Sequence, residues 1–138
     1  MIIFDKERIG VFVANCIGNT REWSDYQAIG IEKDGVLIAG VVIDDYIKNS
    51  RCSIHCAGIG KRWLNRDFLF VVFDYVFRQL NCNCVVNLVD SENLDSIKFT
   101  EHLGFELVYK IKDGINGKSN TFIFEMQKSN CKWLKLRG

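Results

Sequence analysis

The stretch RCSIHCAGIGKRWLNRDFLFVVFDYVFRQLNCNCVVNLVD, residues 51–90, decides the architecture. Arg51 to Ala57 reads as a strand, and Gly58-Ile59-Gly60-Lys61-Arg62 breaks it. The longest helix of the chain follows. Phe68, Leu69, Val72, Phe73, Val76, Phe77 and Leu80 fall on one broad face at a period of 3.6. Asn65 is placed to cap the helix start, with Leu64 and Leu69 as the hydrophobic staple around it. Asn81 stops the helix, and Cys84 to Val89 is a short apolar strand. Strand, helix, strand predicts a parallel pair, because a crossover of this length returns the chain in the same direction.

Outward from this unit the pattern turns antiparallel. Tyr26 to Glu32 and Val36 to Asp45 are β-rich runs around Lys33-Asp34-Gly35. Asp-Gly between such runs signals a hairpin, since the turn needs positive φ. Lys48-Asn49-Ser50 makes a second turn into Arg51. Before the hairpin, Ile9, Phe12, Val13, Cys16 and Ile17 give Asp5 to Ile17 helical spacing, ended by Gly18, Asn19 and Thr20. Beyond residue 90, Asn93 to Leu103 is a second amphipathic helix, with Gly104 where a C-cap glycine belongs. Phe105 to Ile111 and Thr121 to Met126 are two further strands, joined by a Gly- and Asn-rich connection. The expected order is α-β-β-β-α-β-α-β-β. It describes a single α/β domain, residues 1–138, with a mixed and mostly antiparallel sheet.

Composition agrees with that size and class. The chain has 138 residues, 48% of them hydrophobic and 25% charged. Eighteen Lys and Arg against seventeen Asp and Glu give +1, which disfavours a strongly cationic nucleic-acid surface and a disordered acidic tail. No apolar run approaches the roughly 20 residues of a membrane span, and Asp5-Lys6-Glu7 ends the apolar start before a signal peptide forms. No membrane partner and a cytoplasmic setting are expected. Six cysteines without a secretory signal read as free thiols, and none of their spacings makes a zinc module, so no metal is expected. With no Pro, turns rest on Gly, Asn, Asp and Ser.

Residues 53–66 carry the first chemical signal: a strand, a Gly-containing basic turn and a capped helix start. Unpaired N–H groups and a partial positive charge at a helix N-terminus suit phosphate. Gly58 and Gly60 admit close backbone approach, and Lys61, Arg62 and Arg66 add charge. The alternative is an ordinary strand-to-helix loop with exposed cations.

The second signal runs from Val89 through Asn93, Ser96 and Phe99 to Leu103-Gly104-Phe105. An Asn after a strand, a small residue three positions on, an aromatic and a terminal Leu-Gly-Phe resemble the C-terminal signature of the GNAT superfamily of acyl-CoA N-acyltransferases. Residues 73–80 are similar to the central helix of its ribosomal-protein acetyltransferase branch, and Ala28 to Val42 to its hairpin of strands two and three. Cys131-Lys132-Trp133-Leu134 resembles the ending of small acetyltransferase-like proteins of phages. The similarity covers roughly residues 26–126.

The resemblance implies a sheet whose central parallel strands, here Arg51 to Ala57 and Cys84 to Val89, splay apart. Acetyl-CoA, the implied co-substrate, would lay its pantetheine arm in the gap and its pyrophosphate on the turn before the central helix. Cys56, Ala57, Gly58, Gly60, Lys61, Arg62, Trp63, Leu64, Asn65 and Arg66 then become cofactor-binding positions. Asn93, Lys98 and Phe99 join them. The implied activity is transfer of the acetyl group to an amine of a protein or small molecule. Two positions depart from the family's phosphate loop, Arg62 and Leu64, both bulkier than its pattern. Thr100 stands where many members carry a Tyr that protonates the leaving thiolate, and a threonine hydroxyl is a poor acid near neutral pH.

The reaction itself needs an oxyanion donor and a base. A backbone N–H near Cys56 or Ala57 is the candidate donor. His55 is the candidate base, because histidine ordinarily titrates in the range the task requires; the alternative is a structural strand histidine. Asp44, Asp45 and Asn87 are placed to meet a cationic acceptor or to orient a water, Asp45 and Asn87 being the assigned substrate positions; the alternative for Asp44 and Asp45 is a solvated hairpin end. His102 reads as structural, complementing a helix C-terminus. Trp133 and Leu134 pack on the domain or on a second copy of the chain in a homodimer. A non-catalytic protein on the same scaffold, or an enzyme acting on a nucleic-acid base, are the competing functional readings.

Overall fold

The structure, a computed structural model, describes residues 1–19, 22–60 and 63–135. Its strands are β1 (Ile2–Ile3), β2 (Gln27–Lys33), β3 (Val36–Ile47), β4 (Arg51–Gly58), β5 (Cys84–Asp90), β6 (Glu106–Ile111) and β7 (Thr121–Gln127). Its α-helices are α1 (Lys6–Ile17), α2 (Arg66–Asp74) and α3 (Leu94–Leu103). The strands form one seven-stranded sheet in the order β1-β2-β3-β4-β5-β7-β6. All neighbours are antiparallel except β4 and β5, which run parallel. The single mixed α/β sheet expected from the sequence is thus present.

The local signals act as their chemistry dictates. Asp34 and Gly35 take positive φ, 53° and 80°, and turn β2 into β3. Asn65 Oδ1 accepts the Phe68 N–H at 2.9 Å and starts α2. Asn93 Oδ1 accepts the Ser96 N–H at 3.1 Å and starts α3. Gly104, at φ 106°, ends α3 in the left-handed conformation.

Two features differ from the expected order. The chain opens with β1, which pairs Ile2 with Ile31 and Ile3 with Gly30. Two residues carry no periodicity, so only the partner strand reveals them. The central helix also changes type. After Asp74 it continues as a π-helical turn, Tyr75–Gln79, in which the Leu80 N–H donates to Tyr75 O at 2.8 Å. Val76 and Phe77 stay fully buried across the change, so the apolar pattern does not register it.

The sheet separates two cores. On one face α1 sets Ile9 and Val13 against Ala28, Leu37, Val42 and Ala57. On the other, Phe68, Leu69, Val72, Phe73, Val76 and Phe77 cover Val41, Ile43, Cys52, Ile54 and Val85. Trp133 closes this second core, its indole N–H donating to Leu103 O at 2.8 Å. Trp133 and Leu134 therefore pack on their own domain. Among the described residues no helix is long and apolar enough to cross a membrane.

Candidate active site

The site begins where β4 and β5 part. Their backbones are in register at only two positions, Arg51 with Cys84 and Cys52 with Val85. Side chains bridge the next step: Ser53 Oγ donates to Val86 O at 2.6 Å, and Asn87 Oδ1 accepts the Ile54 N–H at 3.0 Å. Beyond them β5 stays paired with β7 as far as Asp90, while β4 stays paired with β3 as far as Gly58. The two strands are held by different neighbours, and a wedge opens between them.

Alternation assigns the wall of this wedge. The Ile54 N–H points at β5, so the Cys56 N–H, two residues on, lies on the same edge and faces the opening. A cavity of about 380 Å³ fills the wedge. Ser53, Ile54, His55 and Cys56 line it from β4, and Asn87, Leu88 and Val89 from β5. Ile17 and Asp45 line it on the α1 side, while Asn93, Ser96, Phe99 and Thr100 line it from α3. Since α1 and α3 cover opposite faces, the cavity passes through the sheet.

On the α1 face His55 has a fixed environment. Its Nε2 lies 2.8 Å from Asp44 Oδ1. Val42 stands opposite His55 and Asp44 opposite Ser53, which makes Asp44 the diagonal cross-strand neighbour of the ring on the same face. The register of β3 slips between Asp44 and Ile47, and Asp45 takes φ 50°. The Trp23 ring lies 5.0 Å from the His55 ring, and its indole N–H is tied to Gly10 O of α1 at 2.8 Å. Sequence reasoning misses both partners of His55. Trp23 belongs to no motif, and Asp44 reads as one of two hairpin carboxylates near a cationic acceptor. The β3–β4 register brings Asp44 to the ring.

The thiols are poor nucleophiles here. Burial pushes the Cys56 thiol up to about 12, and burial also raises Cys52, Cys82 and Cys84. A protonated thiol is a poor nucleophile. All six cysteines are free, and among the described residues no His, Cys, Asp and Glu cluster could hold a metal ion.

The turn after β4 is built around Trp63. The indole is buried, donates to Gly60 O at 2.9 Å and packs 5.9 Å from the Phe99 ring. It lies where a Cβ on Gly58 would be, so a glycine is needed there. Gly60 has φ 72°. Leu64 packs on the core that contains Leu69, as the staple requires. Asn65 and Arg66 are exposed at the start of α2; Lys98 is exposed on α3, and Phe99 is half-buried beside the cavity. Lys61 and Arg62 lie outside the described residues. The wedge therefore gathers His55, Cys56, Asn87, Asn93, Phe99, Thr100 and Asp45 around one space, with Gly58 at the end of β4 and Gly60, Trp63, Leu64, Asn65 and Arg66 beyond it.

The likeness to known proteins lies in architecture. No protein-family model and no curated protein sequence matches the chain. Solved structures do. Mutant forms of the spermidine/spermine N-acetyltransferase SpeG of Vibrio cholerae superimpose with a TM-score of 0.72 at 18% identity, over 100% of this chain and 99% of that one. A dodecameric spermidine N-acetyltransferase of the same organism gives 0.70 at 17%, over 94% of each chain. A probable acetyltransferase gives 0.57 at 22%, over 74% of this chain and 62% of that one. The chain shares the fold of the SpeG acetyltransferases over almost all of its length and that of the probable acetyltransferase over three quarters of it.

Proposed function

We propose that residues 1–138 act as one acetyl-CoA-dependent N-acetyltransferase domain. The observation that carries this reading is the wedge between β4 and β5, open through the sheet. An extended thioester arm fits such a slot. It can take the place of the missing strand neighbour, pairing with the β4 edge at Cys56; Ala57, one residue on, turns its backbone groups to β3 and its side chain into the α1 core, so it does not meet the arm. Asn93, Lys98 and Phe99 flank the arm from α3. Gly58, Gly60, Lys61, Arg62, Trp63, Leu64, Asn65 and Arg66 form the pyrophosphate end. There Asn65 Oδ1 already occupies the Phe68 N–H, so phosphate relies on the remaining first-turn N–H groups and the cations.

In the reaction a neutral amine attacks the thioester carbonyl. The C–N bond forms, the Cys56 N–H stabilises the oxyanion, and the C–S bond then breaks to release CoA thiolate. His55 takes the proton the amine must lose. Thr100 lines the cavity and can donate a hydrogen bond to the sulfur without serving as a strong acid.

The acceptor is a cationic amine. Glu22, Asp25, Asp44 and Asp45, with Trp23 and Tyr46, line a second cavity of about 450 Å³ beside His55. Carboxylates and ring faces both attract ammonium groups. The spermidine acetyltransferases that share the fold make polyamines the first acceptors to try. The test is release of free CoA from acetyl-CoA by the purified protein with a panel of spermidine, lysyl peptides and aminonucleosides. Turnover with the polycations is expected. Binding of acetyl-CoA with no turnover across the panel would contradict the enzyme reading and favour a binding role for the scaffold.

A further inference from the structure

We propose that Asp44 is a positioning residue that makes His55 a base through its Nδ1 atom. The inference rests on the acetyltransferase reading and adds a partner and a proton position to it. Asp44 Oδ1 lies 2.8 Å from His55 Nε2. A carboxylate accepts hydrogen bonds and offers none, so a neutral imidazole in this contact carries its proton on Nε2. The lone pair is then on Nδ1. His55 lines the wedge, so that lone pair belongs to a ring at the wall of the cavity where the amine must be deprotonated.

The surroundings fix this arrangement from three sides. The Trp23 ring packs at 5.0 Å and is itself anchored to α1 through Gly10 O. The β3–β4 register sets Asp44 diagonally across from His55. Among the described residues lining the two adjoining cavities, the charged groups are Asp44 and Asp45 of β3 with Glu22 and Asp25 before β2. All are carboxylates. They bring the ammonium form of the acceptor to the ring. In the step itself, the acceptor N–H bond breaks and its proton joins Nδ1. The nitrogen keeps the electron pair that attacks the carbonyl, and the second proton it sheds as the amide forms goes to the departing CoA thiolate. The imidazolium holds its Nε2–H on Asp44 and later returns the Nδ1 proton to water. No redox partner or further reactant is involved.

Two measurements test the inference. Nitrogen-15 NMR of the free protein, at a pH where the His55 ring is neutral, should show the proton on Nε2 in the wild type. Asp44→Ala should lose that preference. A neutral wild-type ring protonated on Nδ1 overturns the proposal whatever the enzyme does. Kinetics supply the second arm. His55→Gln and Asp44→Asn should each lower kcat by about 10²-fold, the usual scale of a general base. KM for acetyl-CoA should stay unchanged, and the unchanged KM also shows that the variants fold. His55→Gln turning over at the wild-type rate overturns the base assignment and leaves the acetyltransferase reading standing. A wild-type protein that neither binds acetyl-CoA nor releases CoA overturns both.

Discussion

Single side chains set the site's chemistry, and their effects can be measured singly. Trp63 lies over Gly58 so closely that a methyl group there would overlap the indole. Gly58→Ala should push Trp63 off its Gly60 hydrogen bond and cost about 1–3 kcal/mol, read as a lower urea midpoint. The thiols give a pH signature. Cys56 ionises near an ordinary 9.0 when unfolded and only near about 12 when folded. The folded chain therefore holds a proton that the unfolded chain loses. The stability this confers is whole below pH 9 and is lost as pH climbs towards 12. Unfolding midpoints should fall across that window, and Cys56→Ala should make the fall shallower. At this scale the sequence is legible in part. His55 stands out by residue type, Asn93 and Thr100 only through the resemblance of residues 93–105 to an acyltransferase signature. The Asp44–His55 pair does not, because residues eleven apart meet only once the β3–β4 register is known.

Elements pack on one another through features that are small in sequence. Helix α1 rests directly on β3 at Gly40, where an added Cβ would come within 2.8 Å of Ile9 and 2.9 Å of Val13. Gly40→Ala should lift α1 from the sheet and destabilise the fold by about 1–3 kcal/mol. If the midpoint is unchanged, the close packing is not what seats the helix. At the fork between β4 and β5, Asn87 stands in for the backbone acceptor that β5 no longer offers Ile54. Asn87→Ala should cost about 1–2 kcal/mol by leaving that N–H without its partner, and it should speed amide exchange at Ile54. Helices and hairpin are legible because periodicity and turn chemistry are local. The π-helical turn is not, since one extra residue per turn leaves the buried positions Val76 and Phe77 in place.

For the molecule as a whole, topology follows from the sequence more easily than the opening does. A strand, a helix and a strand with the right lengths dictate a parallel pair, and the structure has it between β4 and β5. Nothing in the apolar pattern says that this pair comes apart after two positions. That expectation comes from the resemblance of residues 93–105 to an acyltransferase signature, and the two-position register of β4 with β5 agrees with it. The parting has a physical cause in this chain. Each strand keeps its outer partner, β3 or β7, while Ser53 and Asn87 satisfy the backbone where the inner pairing stops.

The central claim is that this slot receives the thioester arm of acetyl-CoA. Backbone amide NMR during titration with acetyl-CoA tests it most directly. Shifts should cluster on Ile54 to Gly58, on Asn87 to Val89 and on Asn93 to Thr100, with the far strands β1 and β6 unmoved. A spectrum that does not change, or shifts gathered away from the fork, would contradict the account.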